Sequence, residues 1–400
     1  MNSGESNSYR WVVLGISWLC IFTLSIGWYS MPTLQSSLMI LYNINITQFN
    51  LAFTLPFLIA GILSIPGGIL ADSWGVRKTV SLAMVFGGIG FLGRALLGNY
   101  VVLLVSMASV GTAWGLLFPN APKMISAWFP PEETALSSGI FTTGMFIGLS
   151  IGMAASPYFP EWIITTSIMG IMVLILCGIF FILAKDAPPG KELKSIKLIE
   201  GVQTAIKSKT IWLAGFGGFL AFGGMVSFMS TLPLASNIVY GLPEAQGGFL
   251  AALVNLLGVV GALSLPALTK KIGRKKLLVI IGLSTASGIF FSWFLAPLTL
   301  LALWIGVIIA GIGGGALPAI LLEIPVLMSS VNSDPIREEH VGGGAALVNV
   351  LLQIGGFAIL PFIITPLINT YSYMLGYTFA AIFFGSISIF ALKFEYPKDM

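Results

Sequence analysis

The sequence predicts an all-α membrane protein: twelve transmembrane helices in two six-helix bundles related by pseudo-two-fold symmetry. Three observations carry that prediction. First, charge is scarce. Lys and Arg number 19 and Asp and Glu 15 in 400 residues, or 8%, against about 25% in ordinary globular chains. A water-facing surface needs more charge than this, so the solvent is lipid. Second, 56% of residues are hydrophobic and mean hydropathy is +0.97. The apolar residues form continuous runs long enough to cross a bilayer, which takes about 20 residues at about 1.5 Å rise each. Barrel strands would alternate apolar and polar instead. Third, the two halves of the chain repeat at an offset of about 200 residues.

In chain order the runs fall at 10–31, 48–71, 78–98, 101–128, 134–156 and 160–184. A polar stretch follows, and a second set reads 210–232, 245–268, 275–294, 297–323, 341–366 and 371–393. The organisation is therefore a bundle over 1–184, a cytoplasmic linker over 185–209, and a bundle over 210–400. The first run follows Arg10 and lacks a clear small-residue cleavage site, so it reads as a retained helix rather than a signal peptide. Cys20 and Cys177 both sit inside apolar runs, as core filler rather than a disulfide. The one histidine, His340, lies in a charged loop, and no metal-ligand spacing is present. The net charge of +4 comes from residues in short loops, which excludes a nucleic-acid partner.

Those loops set the orientation, because Lys and Arg favour the cytoplasmic side. With the N-terminus inside, 18 of the 19 basic residues fall at the cytoplasmic face, and Arg94 is the exception. Both termini are then cytoplasmic in a multi-pass protein of the plasma (inner) membrane. Asn45-Ile-Thr47 is a glycosylation sequon in an outer loop, a tripeptide common by chance. In the linker, Leu193, Ile196, Ile199, Val202 and Ile206 share one helical face, with Lys194 and Lys197 off it. This stretch reads as an amphipathic helix on the anionic inner leaflet, or equally as a solvated flexible linker.

The repeat is visible in particular residues. Gly111-Thr-Ala-Trp-Gly115 with Pro119 matches Gly311-Ile-Gly-Gly-Gly315 with Pro318. The basic loop Gly75-Val-Arg-Lys78 matches Gly273-Arg-Lys-Lys276. The fifth span of each half carries spaced glycines: Gly139, Gly144 and Gly148, against Gly344, Gly355 and Gly356. Small residues let helices approach closely in lipid, where burial of apolar surface gives no drive to associate. Six plus six spans in parallel repeats is a transporter architecture, with the site between the halves near the midplane.

Between the second and third spans the chain reads Gly68-Ile-Leu-Ala-Asp72-Ser-Trp-Gly75-Val-Arg77-Lys78. This resembles the signature loop of the major facilitator superfamily, and the resemblance extends over the whole chain in span number, basic central loop and repeat. Gly68 would admit a neighbouring helix. Asp72 would accept N–H groups at a helix N-terminus and pair with Arg77 and Lys78. The resemblance implies that this loop, Gly68, Asp72, Gly75, Arg77 and Lys78, is a conformational latch holding the two bundles in the outward-open state. There are departures. Ser73 and Val76 stand where the family has basic residues, and Lys270 occupies the aspartate position of the second half, which puts that copy of the latch in doubt. Met107 stands where a fourth-span arginine is often found, so mechanisms resting on that arginine do not carry over. The stretches Phe118–Pro130 and Gly315–Pro325 are similar to the cyanate and nitroimidazole transporter group; this covers the fourth and tenth spans only.

Charges within spans are costly, about 2.5–3.5 kcal/mol on insertion scales, so those present point to function. Lys123 in the fourth span and Glu323 in the tenth stand 200 residues apart. They are expected to pair as a cytoplasmic gate, or else to snorkel separately to the interface. Arg94, near the outer face of the third span, reads as an interfacial anchor or a ligand. The midplane is otherwise uncharged. Its candidates for substrate binding are Trp18, Trp28 and Tyr29 in the first span, Trp114 and Asn120 in the fourth, and Thr142 and Thr143 in the fifth. Phe222 in the seventh, Asn255 in the eighth, and Asn349 and Gln353 in the eleventh complete the set. Asn349 and Gln353 share a face at i, i+4. A buried amide needs a partner, whether another helix or a substrate.

A cavity so poor in charge argues for a small, neutral or weakly anionic solute. A nitrate transporter of similar fold would carry arginines in the second and eighth spans, and neither has one. The reading is a secondary active transporter working by alternating access as a monomer, without cofactor or metal, driven by a solute gradient or a coupling proton or ion. No GxxxxGK[ST] loop is present for ATP, and no catalytic constellation lies in the spans, so the chain is not an enzyme. The alternative is a non-transporting membrane receptor or scaffold on the same fold.

Overall fold

A computed structural model describes residues 3–96, 99–159, 161–188, 198–331 and 334–394. Twelve helical segments among these are long and apolar enough to cross a membrane. Numbered as spans 1 to 6, the first set runs Ser8–Tyr42, Ile46–Trp74, Val76–Ala95, Tyr100–Trp128, Glu132–Tyr158 and Trp162–Leu183. Spans 7 to 12 run Lys209–Tyr240, Glu244–Leu268, Arg274–Phe294, Leu300–Met328, Glu338–Thr370 and Tyr373–Leu392. No strand occurs among the described residues.

Side-chain caps start several of these helices. Asn45 accepts from the Gln48 amide at 2.9 Å while the Gln48 side chain accepts from the Asn45 amide, a reciprocal capping box. The sequon asparagine is thus a helix cap here. Asn99, Ser208, Thr299 and Ser372 cap spans 4, 7, 10 and 12 in the same sense. Between spans 2 and 3 the chain turns at Gly75 with φ +96°, and between spans 8 and 9 at Gly273 with φ +80°. A Cβ is disfavoured at both angles, so the two halves repeat a turn that glycine alone fits well.

The repeated glycines fix the same contacts in both halves. A Cβ on Gly111 would stand 2.7 Å from Pro56 of span 2, and one on Gly311 would stand 2.8 Å from the Val254 carbonyl of span 8. Gly115 likewise lies on Ala60, and Gly315 on Gly258. Gly148 of span 5 lies on Phe22 of span 1, and Gly355 of span 11 on Phe219 of span 7. Gly139 departs from the pattern. A Cβ there would meet Leu263 no nearer than 3.7 Å, so it is not a close-packing position.

The halves meet chiefly at the end opposite the basic loops. There Asn50 of span 2 donates to Thr365 of span 11 at 2.8 Å. Ser150 of span 5 donates to the Ala252 carbonyl of span 8 at 3.0 Å. Gly248 of span 8 sits against Met153 and Thr33. Pro361 interrupts span 11 beside the first of these contacts, and residues Leu360–Ile364 form a π-turn.

The expected linker helix is partly in view. Lys191, Leu193, Lys194, Ile196 and Lys197 lie outside the described residues, as does Lys398. A helix does span Leu198–Ala205, but it buries Gly201 and Ala205, while Ile199 and Ile206 stay exposed. A Cβ on Gly201 would stand 3.1 Å from Gly343 at the start of span 11, and Leu198 reaches Gly68 of span 2. The two small residues, off the apolar face, are the docking surface because they let backbones touch.

Candidate functional site

A cavity of about 280 Å³ lies between the halves. Spans 1, 2, 4 and 5 form one wall and spans 7, 8, 10 and 11 the other. It runs from Tyr29 and Met229 at the closed end to Phe118 and Leu322 toward the basic end. Among the described residues no charged side chain lines it. Aromatic rings dominate: Trp28 packs on Phe57 at 4.6 Å and edge-on against Trp114 at 5.3 Å. Phe57 meets Phe222 from the other half at 5.7 Å, again edge to face. Met145, Met225 and Met229 add polarisable surface. Polar groups are few and neutral: Thr142, Asn255, Asn349 and Gln353.

Trp28, Tyr29, Trp114, Thr142, Phe222, Asn255, Asn349 and Gln353, all expected from the sequence, line this cavity. Trp18 and Asn120 do not. The Trp18 indole donates to Thr143 at 3.1 Å, tying span 1 to span 5, and stacks on Phe22. The Asn120 amide donates to the Gly67 carbonyl of span 2 at 3.1 Å and the Leu116 carbonyl at 2.9 Å. Both answer a buried polar group's need with a neighbouring helix instead of the cavity. Asn255 does both: it lines the cavity and donates to the Ala251 carbonyl at 3.1 Å. Sequence reasoning missed Phe57, Phe146, Met225 and Met229. Their runs are apolar on every side, so nothing in the order of residues marks a cavity face. Two polar atoms in the wall are buried without a partner, the Trp114 indole nitrogen and Gln353 Oε1.

The charges at the basic end pair differently from expectation. Lys123 pairs with Asp72, within the first half. Glu323 pairs with Arg274 at 3.1 Å, within the second. The expected Lys123–Glu323 pair is not the one formed. The cavity separates spans 4 and 10 here, so each charge takes the opposite charge on its own half's loop. The loop also differs in detail. Asp186, not Asp72, caps span 3, accepting from the Arg77 amide at 2.6 Å. The Arg77 guanidinium lies over Phe181 at 4.9 Å and the Lys78 ammonium over Trp74 at 5.8 Å, so neither is the partner of Asp72. Gly75 makes the turn beside Asp186, and Gly68 faces the linker helix.

Arg94 is neither an interfacial anchor nor a cavity residue. It is 1% exposed, inside the first half, and donates to the Gly27 carbonyl at 2.9 Å.

Comparison with known proteins agrees with this architecture. The family model of the Major Facilitator Superfamily matches residues 17–360. The chain is 27% identical to the cyanate transport protein CynX of Escherichia coli over 273 residues, 67% of this chain and 69% of that one. It is 25% identical over 237 residues to the nitrate/nitrite transporter NrtP of Nostoc punctiforme, covering 54% of this chain and 46% of NrtP. It is 26% identical to the hexuronate transporter of Bacillus subtilis over 243 residues, 58% of this chain and 56% of that one. Among solved structures, the proton:xylose symporter XylE superposes with a TM-score of 0.70 at 14% identity, covering 97% of this chain and 96% of that one. A bacterial homologue of the human lysosomal transporter Spinster, inward-facing and unoccupied, also scores 0.70 at 15% identity, covering 96% of this chain and 95% of that one. These two likenesses establish the fold.

Proposed function

The chain belongs to the Major Facilitator Superfamily, a multi-pass membrane protein rather than an enzyme, and from that premise we propose that it is a secondary transporter of a small, neutral or weakly anionic solute. The observation that carries this reading is the uncharged, aromatic and amide-lined cavity between the two halves. At about 280 Å³ it is roughly nine times the share of liquid volume taken by one water, about 30 Å³. That room admits a small organic solute as well as a small ion. Aromatic faces repel anions, while ring edges and amide N–H groups attract them. A diffuse monoanion such as cyanate therefore fits better than a strongly hydrated one. Nitrate is disfavoured, because spans 2 and 8 bring no arginine to the cavity.

Transport proceeds by alternating access across the plasma (inner) membrane, with both termini cytoplasmic. The state described is then closed outside, through Asn50–Thr365 and Ser150–Ala252. When the cytoplasmic end closes instead, Lys123 and Glu323 exchange their own-half partners for each other and form the gate. Loop 68–78, with Asp72 holding Lys123, is the latch of the first half. The test is thermal stabilisation of the purified protein across a panel of neutral organic solutes and monoanions. A binder present at about 100 times its Kd stabilises by about 2.7 kcal/mol. Stabilisation by a neutral or weakly anionic solute, lost in Gln353→Leu, is expected. Stabilisation by multiply charged solutes alone would refute the reading.

A further inference from the structure

We propose that Arg94 is a positioning residue for the cavity: it holds the break in span 1 that turns Trp28 and Tyr29 inward. The proposal rests on the reading of that cavity as the solute site. Arg94 itself lines no part of it. Its Nη2 donates to the Gly27 carbonyl at 2.9 Å, and its guanidinium lies between the rings of Phe91, at 4.5 Å, and Trp162, at 4.9 Å. Among the described residues no carboxylate is paired with it, and Nε and Nη1 have no partner. A cation left this way inside a membrane protein is costly, so a merely space-filling role does not account for it.

The Gly27 carbonyl is available for a local reason. In a continuous helix it would accept from the Met31 amide. That amide instead donates to the Trp28 carbonyl at 3.4 Å. Pro32, with no N–H to offer, opens the turn Pro32–Leu34 that ends the helix. The freed carbonyl takes the Ser30 hydroxyl at 2.9 Å and Arg94. Gly27 is also bare enough for Phe91 to lie on it, since a Cβ there would stand 2.3 Å from the ring. The next two residues are Trp28 and Tyr29, both in the cavity wall.

The second half serves as an internal control. The Tyr42 hydroxyl donates to the Arg94 carbonyl, and the Tyr240 hydroxyl donates to the Trp293 carbonyl at 3.3 Å, so Trp293 is the counterpart of Arg94. Trp293 stacks on Tyr377 at 4.4 Å and Tyr240 at 5.0 Å. A neutral ring therefore satisfies the packing at this place. What differs is the helix it faces. Span 7 passes through Pro233 as one unbroken helix, Lys209–Tyr240, whereas span 1 breaks after Tyr29. The cation stands in the half that has a broken carbonyl to hold.

Fluorine NMR of 5-fluorotryptophan-labelled protein in lipid nanodiscs, with no solute added, tests this. Trp28→Phe assigns the Trp28 signal. Arg94→Met is expected to shift that signal and to broaden that of Trp114, its ring neighbour at 5.3 Å. Arg94→Lys, which keeps a donor, should restore the Trp28 signal close to its wild-type position. Tyr42→Phe removes the bond to the Arg94 carbonyl and the one the Trp162 indole donates to Tyr42 at 3.1 Å but leaves the Nη2 bond to the Gly27 carbonyl, and should leave Trp28 in place. An unmoved Trp28 signal in Arg94→Met, or an equal shift in Tyr42→Phe, would overturn the proposal. Should Arg94→Met not fold, Arg94→Gln keeps an N–H without the charge: Trp28 near its wild-type position supports the hydrogen bond as the holding contact, and a displaced Trp28 overturns it. Failure of every solute to exchange in proteoliposomes would count against the cavity's function and leave this result standing.

Discussion

Lys123 and Glu323 occupy matching places with opposite sign; their partners are opposite in sign too, although Lys270, not Arg274, stands at the place of Asp72. The first half sets an acid on the loop, Asp72, and a base on the span, Lys123; the second sets a base on the loop, Arg274, and an acid on the span, Glu323. This inversion makes the two span ends complementary to each other as well as to their own loops. Partly exposed pairs of this kind are worth about 0–1 kcal/mol each, so exchanging partners costs little. Lys123→Glu with Glu323→Lys keeps the attraction across the halves and breaks both pairs within them. Alkylation of an Ala262→Cys reporter in the cavity wall, on a background with Cys20 and Cys177 replaced by Ala, is then expected to slow, because the basic end closes. An unchanged rate would remove the gate. In the cavity, Gln353→Leu and Asn349→Leu should each weaken solute affinity about tenfold, the worth of one hydrogen bond of about 1–1.5 kcal/mol. Trp18→Phe should leave affinity unchanged, as its indole serves Thr143; the check is the solute-induced shift in Tm. Lys123 and Glu323 were legible in the sequence because charges are rare in spans. Their partners were not, since pairing depends on how the halves are tilted.

At the scale of elements, close approach of helix backbones holds each half together. A Cβ on Gly315 would stand 2.2 Å from the Gly258 backbone, whereas one on Gly139 meets nothing nearer than 3.7 Å. Gly315→Ala is therefore expected to destabilise by about 1–3 kcal/mol through overpacking. Gly139→Ala should be neutral, or stabilising by up to about 1 kcal/mol from helix propensity. Thermal unfolding in detergent separates the two, and equal shifts would show that the paired glycines are not the contact points. Span number, order and the repeat were legible because a bilayer demands about 20 apolar residues per crossing. Which face of a span meets lipid, helix or cavity was not, because all three accept the same side chains. Phe57, Met225 and Met229 were hidden for that reason, whereas Thr142, Asn255, Asn349 and Gln353 stood out as amides or hydroxyls among hydrocarbons. Asn120 shows the limit of that signal, since an amide bonded to Gly67 and Leu116 looks the same in sequence as one facing a solute.

Over the whole molecule, basic residues gather at one end and the contacts between halves at the other. In the proposed topology, which follows the positive-inside bias, the closed end faces outside. In intact cells, Ile40→Cys, 82% exposed at the closed end, should react with a membrane-impermeant maleimide, and Lys271→Cys should not. Reversed labelling would invert the topology. The uncharged cavity between the halves is proposed to carry the solute. Counterflow in proteoliposomes across neutral organic solutes and monoanions tests it most directly, with wild type compared to Trp114→Ala/Gln353→Leu and to Trp18→Phe. At least one solute is predicted to exchange through wild type and Trp18→Phe and to be lost in the cavity double variant. Exchange that survives the loss of Trp114 and Gln353, or none at all from folded wild-type protein, would contradict it.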